Sequence, residues 1–280
     1  MSENVSLIEM INEQLASGTT KLPVFSETAY LIQQETLKED PDMGQIEKMV
    51  VKDQSLTGEV LKIANSAFYK GLDQITTIKQ AIVRLGYKEI SDIVVLATQK
   101  NNFESKDAFI NKSMSELWRH SVGCAIGSNW LATHCEFHDL SGEAFYAGLL
   151  HDIGKLFILS VIEDIRKTKK IDQLLSDTLL NEVMKSLHTE HGYSLMKTWN
   201  LPEEYCEIVR DHHLEALDPN NHLLILVRLA NIACNKIGIG MHDESDTLLT
   251  ATVEADLLGV SEIDVAKLEV MLEDSVTLVK

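Results

Sequence analysis

A histidine directly followed by an aspartate, His151-Asp152, ends a strongly apolar run of the chain. Gly154 and Lys155 follow within three residues, and the glycine allows a neighbouring backbone to approach closely. An imidazole beside a carboxylate is costly to bury unless a partner compensates for the lost hydration, and a divalent metal is the usual partner. The pair therefore predicts a metal-ligating centre in the interior of the protein.

Further ligand-type residues occur in pairs whose spacing places both members on one side of a helix or at one helix end. These pairs are Glu116 with His120, His188 with His191, and His212 with His213. Metal sites in helical bundles are built from inward-facing ligands on several helices. Asn231, which interrupts the apolar face of a later helix, is a further candidate. Imidazole and carboxylate ligands favour Fe, Mn, Zn or Ni over Ca, and we expect one or two such ions.

Each pair also has a purely structural interpretation. His120, close to Trp118, could be a packed core histidine, and His212-His213 could be an exposed helix end where imidazolium is favoured by the helix dipole. Four other histidines show no grouping and are expected at the surface or in caps: His134, His138, His222 and His242. Three pairs together with a His-Asp motif are less easily explained by chance than by a shared centre.

The elements that must position these residues are predicted to be helices. Apolar residues recur with helical spacing almost everywhere, and no alternating pattern with hairpin turns is found. Ser55, Ser141 and Pro202 indicate helix starts, and residues 88–100 predict a buried helix. We predict an all-α, multi-helix bundle. Its parts are an N-terminal helical part over residues 1–104, a core with the His/Asp cluster over 105–240, and a C-terminal helical extension over 241–280.

Composition excludes several classes of function. The net charge of -18 argues against a nucleic-acid or anionic-membrane surface, which needs clustered Lys and Arg. The most favourable membrane candidate, residues 223–234, is interrupted by Arg228 and Asn231. The chain begins without the features of a signal peptide, and its four cysteines form no C-x-x-C pair. These features predict a cytoplasmic protein with free thiols.

Six sequence motifs together resemble the HDOD domain, the HD-related output domain of bacterial signalling proteins, within the HD superfamily of metal-dependent phosphohydrolases. They are DQSLT at 53–57, LKIANSAFY at 61–69, IKQAIVRLG at 78–86, LWRHS at 117–121, AFYAGLLHDIGK at 144–155 and WNLP at 199–202. The similarity begins near Leu22-Pro23 and extends to about Cys234. It implies an all-helical fold of HD type.

The resemblance also implies which residues would carry chemistry. The phosphodiesterase branch of the superfamily has motifs that correspond to a set of residues in this chain: Glu116, His120, His151, Asp152, Lys155, His188, His212 and His213. In that branch the last ligand is an aspartate, whereas this chain has Asn231. The Gly-Tyr-Pro signature is also replaced, by the sequence LEALDP at 214–219. Both departures argue against hydrolysis.

Two functions remain in competition. The resemblance implies a signalling module without turnover, which acts through protein partners or a second copy of itself. The alternative is a metal-dependent phosphohydrolase, in which a metal activates water and Asp152 and Lys155 are catalytic residues. Lys155 would then bind substrate phosphate or the leaving oxygen. The sequence favours the module, because fold resemblance does not establish turnover and the Asn231 change falls at the chemistry.

Overall fold

The fold was analysed in a computed structural model that describes residues 6–16, 26–36, 38–69, 71, 73–168, 175–240 and 245–279. Its α-helices, in chain order, are α1 Leu7–Ala16, α2 Glu27–Thr36, α3 Met43–Val51, α4 Gln54–Ala64, α5 Ile78–Leu85, α6 Tyr87–Gln99, α7 Ala108–His134, α8 Ser141–Leu150, α9 Ile153–Thr168, α10 Asp177–Thr198, α11 Glu203–Asp211, α12 His222–Lys236, α13 Val253–Leu258 and α14 Glu262–Ser275. The described residues contain no β-strand. The predicted all-α fold class is confirmed.

The N-terminal helices α2 to α5 pack around α6. Helix α6 confirms the buried helix predicted over residues 88–100, since nearly every side chain from Ile90 to Ala97 is buried. The cap of α4 predicted at Ser55 lies two residues earlier, at Asp53, and the helix begins at Gln54. The Asp53 carboxylate accepts hydrogen bonds from the backbone N–H groups of Ser55 and Leu56, so aspartate caps the helix. The motif residues Leu22-Pro23 lie outside the described residues.

The second half of the chain is organised around α7, a helix of 27 residues. Helices α8, α12 and α14 pack on α7. Helix α9 packs on α1 and α10, and α11 packs on α10 and α8. Helix α8 begins at Ser141 and α11 follows Pro202, as the sequence predicts. Every histidine among the described residues lies in this half, on α7 or C-terminal to it.

The candidate membrane span among the described residues is His138–Thr168, not residues 223–234 as predicted. It is long and apolar enough to cross a membrane by length and composition alone, but 94% of its most apolar window is buried inside the protein. Burial of that kind is typical of the core helices of a soluble protein. These helices, α8 and α9, are joined by the His-Asp pair.

Asp107 connects α7 to α9 through a helix cap and an ion pair. Its carboxylate caps α7 by accepting hydrogen bonds from the N–H groups of Phe109 and Ile110, and it forms an ion pair with Arg166 of α9 at 2.7 Å. Partial burial raises the pKa of Asp107, but the Arg166 guanidinium and the cap hydrogen bonds outweigh burial and lower the pKa below its ordinary value. The start of the longest helix thus depends on one ionised carboxylate.

We expect Asp107→Ala to lower the free energy of unfolding by about 1 to 2 kcal/mol at pH 7, because a helix cap and a partly buried ion pair are lost together. Because folding lowers the pKa of Asp107, its contribution is present above the unfolded pKa and disappears as the pH falls through the folded pKa. Urea unfolding at pH 7 and pH 3 measures the difference. Asp107→Asn, which keeps a capping oxygen, should lose less, and equal losses at both pH values would contradict this account.

Candidate metal centre

The His-Asp pair forms the corner between α8 and α9. Helix α8 ends at Leu150 and α9 begins at Ile153, so His151 and Asp152 lie where the chain changes direction in the interior. Their exposed fractions are 0% and 1%. A fully buried carboxylate requires charged or hydrogen-bonding partners, and the surrounding helices supply them.

Four imidazoles converge on the Asp152 carboxylate. The Nε2 atoms of His120 and His151 lie 3.5 and 3.4 Å from Asp152 Oδ2, and those of His188 and His212 each lie 3.5 Å from Oδ1. The ligand atoms of a tetrahedral Zn²⁺ site are separated by about 3.3 Å, so these spacings suit a metal ion. The carboxylate therefore divides the cluster into an Oδ1 lobe, with His188 and His212, and an Oδ2 lobe, with His120 and His151.

Each of the four imidazoles is oriented by its other nitrogen. The Nδ1 atoms of His120 and His151 contact the carbonyl oxygens of Ile239 at 2.9 Å and Gly148 at 2.7 Å. The other two Nδ1 atoms bond within their own helical segments, with the closest contacts His188 to Met184 O at 2.8 Å and His212 to Val209 O at 3.0 Å. A carbonyl oxygen only accepts, so each Nδ1 carries the proton and each neutral ring keeps its Nε2 lone pair for the centre.

In the Oδ1 lobe, the Nε2 atoms of the two imidazoles, which carry the lone pairs, face each other. His188 Nε2 and His212 Nε2 are 3.3 Å apart, and burial lowers the pKa of His188 to about 4. At neutral pH His188 therefore has no proton on Nε2 to share. Asp152 Oδ1, beside both rings, is buried without a hydrogen-bond partner among the described residues. This convergence of unprotonated acceptors is the chemistry of a metal site, and these residues fit a divalent transition metal.

Lys155 neutralises the other side of the carboxylate. Its Nζ donates to Asp152 Oδ2 at 2.7 Å, one turn along α9, and the residue is only 6% exposed. Burial raises the pKa of Asp152, but Lys155 and the neighbouring imidazoles outweigh burial and hold that pKa well below its ordinary value. For His151, burial lowers the pKa well below its ordinary value despite the adjacent carboxylate. An ionised aspartate beside the uncharged imidazoles of His151 and His188 is the protonation state that metal binding requires.

His213 and His191 occupy different positions relative to the centre. The His213 ring packs 4.1 Å from His212 and 5.1 Å from His188, and one of its nitrogens lies within 4.8 Å of the other ligand atoms of the Oδ1 lobe. His213 is the exposed member of that group. His191, by contrast, contacts Phe157, with ring centroids 6.5 Å apart, and belongs to none of the ligand clusters among the described residues.

Of the two other candidate ligands, Glu116 belongs to none of the clusters of His, Cys, Asp and Glu among the described residues. Glu116 is half-buried and lines a surface cavity beside Lys112 and Arg119. Asn231 is half-buried and accepts a hydrogen bond from Asn235 at 3.4 Å. Glu116 lies one turn before His120 on α7, and Asn231 lies three residues before Cys234 on α12. Periodicity places a side chain on a helix face but does not fix its distance from the centre.

Two cysteines beside the Oδ2 lobe were not among the residues predicted from the sequence. Cys124 and Cys234, separated by 110 positions, place their sulfur atoms within 4.8 Å of each other and of a His120 nitrogen. Cys124 lies one turn after His120 on α7, and Cys234 comes from α12. The i, i+4 spacing of His120 and Cys124 was the available signal. No local sequence motif indicated Cys234, because its position depends on how α12 packs on α7.

The close approach expected at Gly154 is present between α9 and α10. A Cβ atom on Gly154 would lie 1.8 Å from the carbonyl oxygen of His188, and Gly192 faces Gly154 from α10. This contact sets the distance between the helix that follows Asp152 and the helix that carries His188. Gly148 makes a similar approach to the Cys124 backbone of α7.

The four ungrouped histidines lie away from the clusters where they are described. His134 is exposed and stacks on Trp130, and His138 is exposed. His222 is half-buried against Phe137. His242 lies outside the described residues.

Comparison with known proteins shows the family to which the chain belongs. The sequence profile of the HDOD domain matches residues 22–215 of the chain. The chain belongs to the HDOD family. An uncharacterised protein of Treponema pallidum (strain Nichols) is 24% identical over 205 residues, which cover 69% of this chain and 39% of that protein. The chain thus spans about two fifths of the length of that relative.

Solved structures share the fold at low sequence identity. An HDOD domain protein of unknown function from Geobacter sulfurreducens has a TM-score of 0.72 and 23% identity, covering 96% of this chain and 94% of that one. A protein from Shewanella amazonensis SB2B, proposed to be a metal-dependent phosphohydrolase, has a TM-score of 0.71 and 20% identity, with 96% of each chain covered. A proposed signal transduction protein from Marinobacter aquaeolei VT8 has a TM-score of 0.66 and 20% identity, covering 99% of this chain and 66% of that one.

We expect Gly154→Ala to lower the free energy of unfolding by about 3 kcal/mol, because the added methyl group forces α9 and α10 apart. Gly58→Ala is the matched control. Gly58 also lies within a helix, but a Cβ atom there meets nothing within 4 Å, so alanine should stabilise by about 0.5 to 1 kcal/mol through helix propensity. Chemical denaturation of both variants measures the difference, and similar effects at the two sites would refute the close-contact interpretation.

Proposed function

We propose that this chain is a bacterial signal-transduction module of the HDOD type that binds one divalent transition-metal ion and does not turn over a substrate. The observation that carries the proposal is the facing pair of Nε2 atoms in His188 and His212 beside the unpartnered Asp152 Oδ1. These two imidazoles and Asp152, with His213 at the outer edge, would hold the ion. Three imidazoles and one carboxylate match the ligand chemistry of Zn, Fe, Mn or Ni.

Charge supports a single ion. Asp152 is the only carboxylate in the clusters of possible ligands among the described residues, and Lys155 already pairs with its Oδ2 atom. A second dication in the Oδ2 lobe would lie close to the Lys155 ammonium with no additional anion to compensate. The amide of Asn231 adds no negative charge, whereas the aspartate expected in the phosphodiesterase branch would.

Enclosure supports the absence of turnover. Five residues of the centre are each at most 3% exposed: His120, His151, Asp152, His188 and His212. A phosphoester substrate must reach the metal-bound water, and here side chains cover most of the centre. A buried ion with protein ligands from the α8–α9 corner, α10 and the end of α11 would instead fix the relative positions of these helices. Such a centre makes the module's shape dependent on the metal.

A metal-dependent phosphohydrolase is the second candidate. It is favoured by His151 Nε2, which is buried without a hydrogen-bond partner among the described residues and faces the Oδ2 lobe. The similar protein from Shewanella amazonensis is itself proposed to be a metal-dependent phosphohydrolase. In this alternative the metal would supply an activated water, while Lys155 would release Asp152 and bind phosphate oxygen.

The proposed partners are proteins of a cytoplasmic signalling pathway, and a second copy of the chain is one of them. The C-terminal helices expose apolar side chains that could take part, namely Val253 at 62%, Ile263 at 67% and Val270 at 59%. Nucleic acid and membrane are not proposed as partners, because acidic residues outnumber basic ones by 43 to 25. Size-exclusion chromatography with light scattering would test self-association.

We expect the protein purified without added metal or chelator to contain about one transition-metal ion per chain, and His188→Ala to lose most of it. His191→Ala is the matched control, since His191 is one turn away on the same helix and should leave the metal content unchanged. Inductively coupled plasma mass spectrometry measures the stoichiometry. Equal metal contents in the two variants would contradict the ligand assignment.

Activity assays separate the two candidate functions. With bis(p-nitrophenyl) phosphate and cyclic di-GMP as substrates and Mn²⁺ or Zn²⁺ supplied, we expect no turnover above that of Asp152→Ala. Turnover that Asp152→Ala abolishes would overturn the non-enzymatic proposal and favour the phosphohydrolase. Activity gained only in Asn231→Asp would support the proposal and identify the missing carboxylate as its cause.

A further inference from the structure

A second cavity, remote from the His/Asp centre, lies between the two halves of the molecule. Its volume is about 260 Å³. The residues that line it come from the turn after α4 and from α6, α7, α8 and α14: Phe68, Tyr69, Glu89, Asp92, Ile126, Asn129, Trp130, Thr133, His134, Phe145 and Met271. We call this space the aromatic-acid cavity. On α7 it is lined from Ile126 to His134, which places it about 9 to 21 Å beyond His120 along the helix axis.

Two carboxyl groups lie on one side of this cavity. Glu89 and Asp92 are three residues apart on α6 and so share a helical face. Tyr69 donates a hydrogen bond from its hydroxyl to Glu89 Oε1. Asp92 is only 6% exposed, and among the described residues it forms neither a hydrogen bond nor an ion pair. An unpartnered carboxyl in such a position costs free energy, so a ligand that pairs with it would be stabilised.

The titration of both carboxyl groups reflects this shortage of partners. Burial and the neighbouring Glu89 raise the pKa of Asp92 well above its ordinary value, against a smaller opposing effect of Lys88. Burial also raises the pKa of Glu89, although the Tyr69 hydrogen bond acts in the opposite direction. A cation placed between them would lower the pKa of each carboxyl group.

The remaining walls are largely aromatic. Phe68 and Tyr69 meet edge to face with centroids 4.9 Å apart, and the Trp130 ring stacks on His134 at 3.8 Å. Phe145 closes the cavity from α8. Aromatic faces attract organic cations and stack on planar ligands, whereas they offer nothing to a hydrated inorganic ion, which needs several oxygen ligands.

We propose that the aromatic-acid cavity is a binding site for a small planar organic cation of the amidinium or guanidinium class. The two carboxyl groups would receive the N–H donors of the cation, as a carboxylate receives a guanidinium in a bidentate pair, and the aromatic rings would cover its apolar part. Among the described residues that line the cavity there is no lysine or arginine, so these residues offer an anionic ligand no strong positive partner. The site is independent of metal binding at Asp152.

Isothermal titration calorimetry with benzamidine and phenylguanidine tests the proposal, with benzamide as the uncharged analogue of the same shape. We expect both cations to bind the full chain at one site, and benzamide to bind at least about tenfold more weakly, since a charged hydrogen bond is lost. Asp92→Asn keeps the side-chain shape and should weaken benzamidine binding by at least about tenfold. Glu182→Gln, which removes an exposed carboxylate on α10, should leave binding unchanged.

Thermal unfolding provides a second readout that does not depend on the heat of binding. Benzamidine should raise the Tm of the wild-type protein but not that of Asp92→Asn, whose Tm without ligand reports whether the variant is folded. Failure of both cations to bind at millimolar concentration would overturn the proposal. So would equal binding of benzamidine and benzamide, or unchanged binding to a folded Asp92→Asn protein.

Discussion

The buried carboxylate of Asp152 is the group on which the arrangement of the helical core depends. An ionised aspartate at 1% exposure is stable only if its surroundings compensate for lost hydration. Lys155 supplies a charge one turn away, and imidazoles from α7, the α8–α9 corner, α10 and the end of α11 supply the rest. These segments are distant in sequence, so satisfying one carboxylate requires most of the second half of the chain to assemble.

The same requirement explains several details of packing. Glycines at 154 and 192 allow α9 and α10 to approach until His188 reaches Asp152, and Gly148 does the same for α8 against α7. Backbone carbonyls hold the Nδ1 sides of the rings, which leaves each Nε2 directed at the carboxylate. Because these hydrogen bonds already orient the imidazoles, a metal ion could bind without further movement of the helices. Where the ion is bound, unfolding requires its release as well.

The sequence predicted the fold class and much of the centre for identifiable physical reasons. Helical periodicity and the HDOD motifs were sufficient for the all-α bundle, and adjacency in the chain identified His151-Asp152. The rotation of each helix about its own axis was harder to predict from the sequence. Spacing alone could not separate His188 from His191, and it included Glu116, which lies outside the ligand clusters among the described residues. Cys234 and the unpartnered Asp92 become visible only through tertiary packing, because no local pattern marks them.

The domain boundaries expected near residues 104 and 240 remain predictions. What the structure adds is that α6 and α7, on either side of the first of them, share the aromatic-acid cavity. One helix, α7, therefore lies beside both that cavity and the His/Asp centre. With the proposed metal site and the proposed cation site on one helix, and with the candidate metal ligands almost fully enclosed, the molecule would be better suited to responding to ligands than to processing a substrate.

Anomalous X-ray diffraction from crystals of the protein, measured above and below the absorption edge of its bound metal, tests the central claim most directly. We predict one anomalous peak at coordination distance from Asp152 Oδ1 and from the Nε2 atoms of His188 and His212, about 2.0 to 2.2 Å away for zinc. No peak in crystals grown with excess metal, or a peak bound only by surface residues, would contradict it.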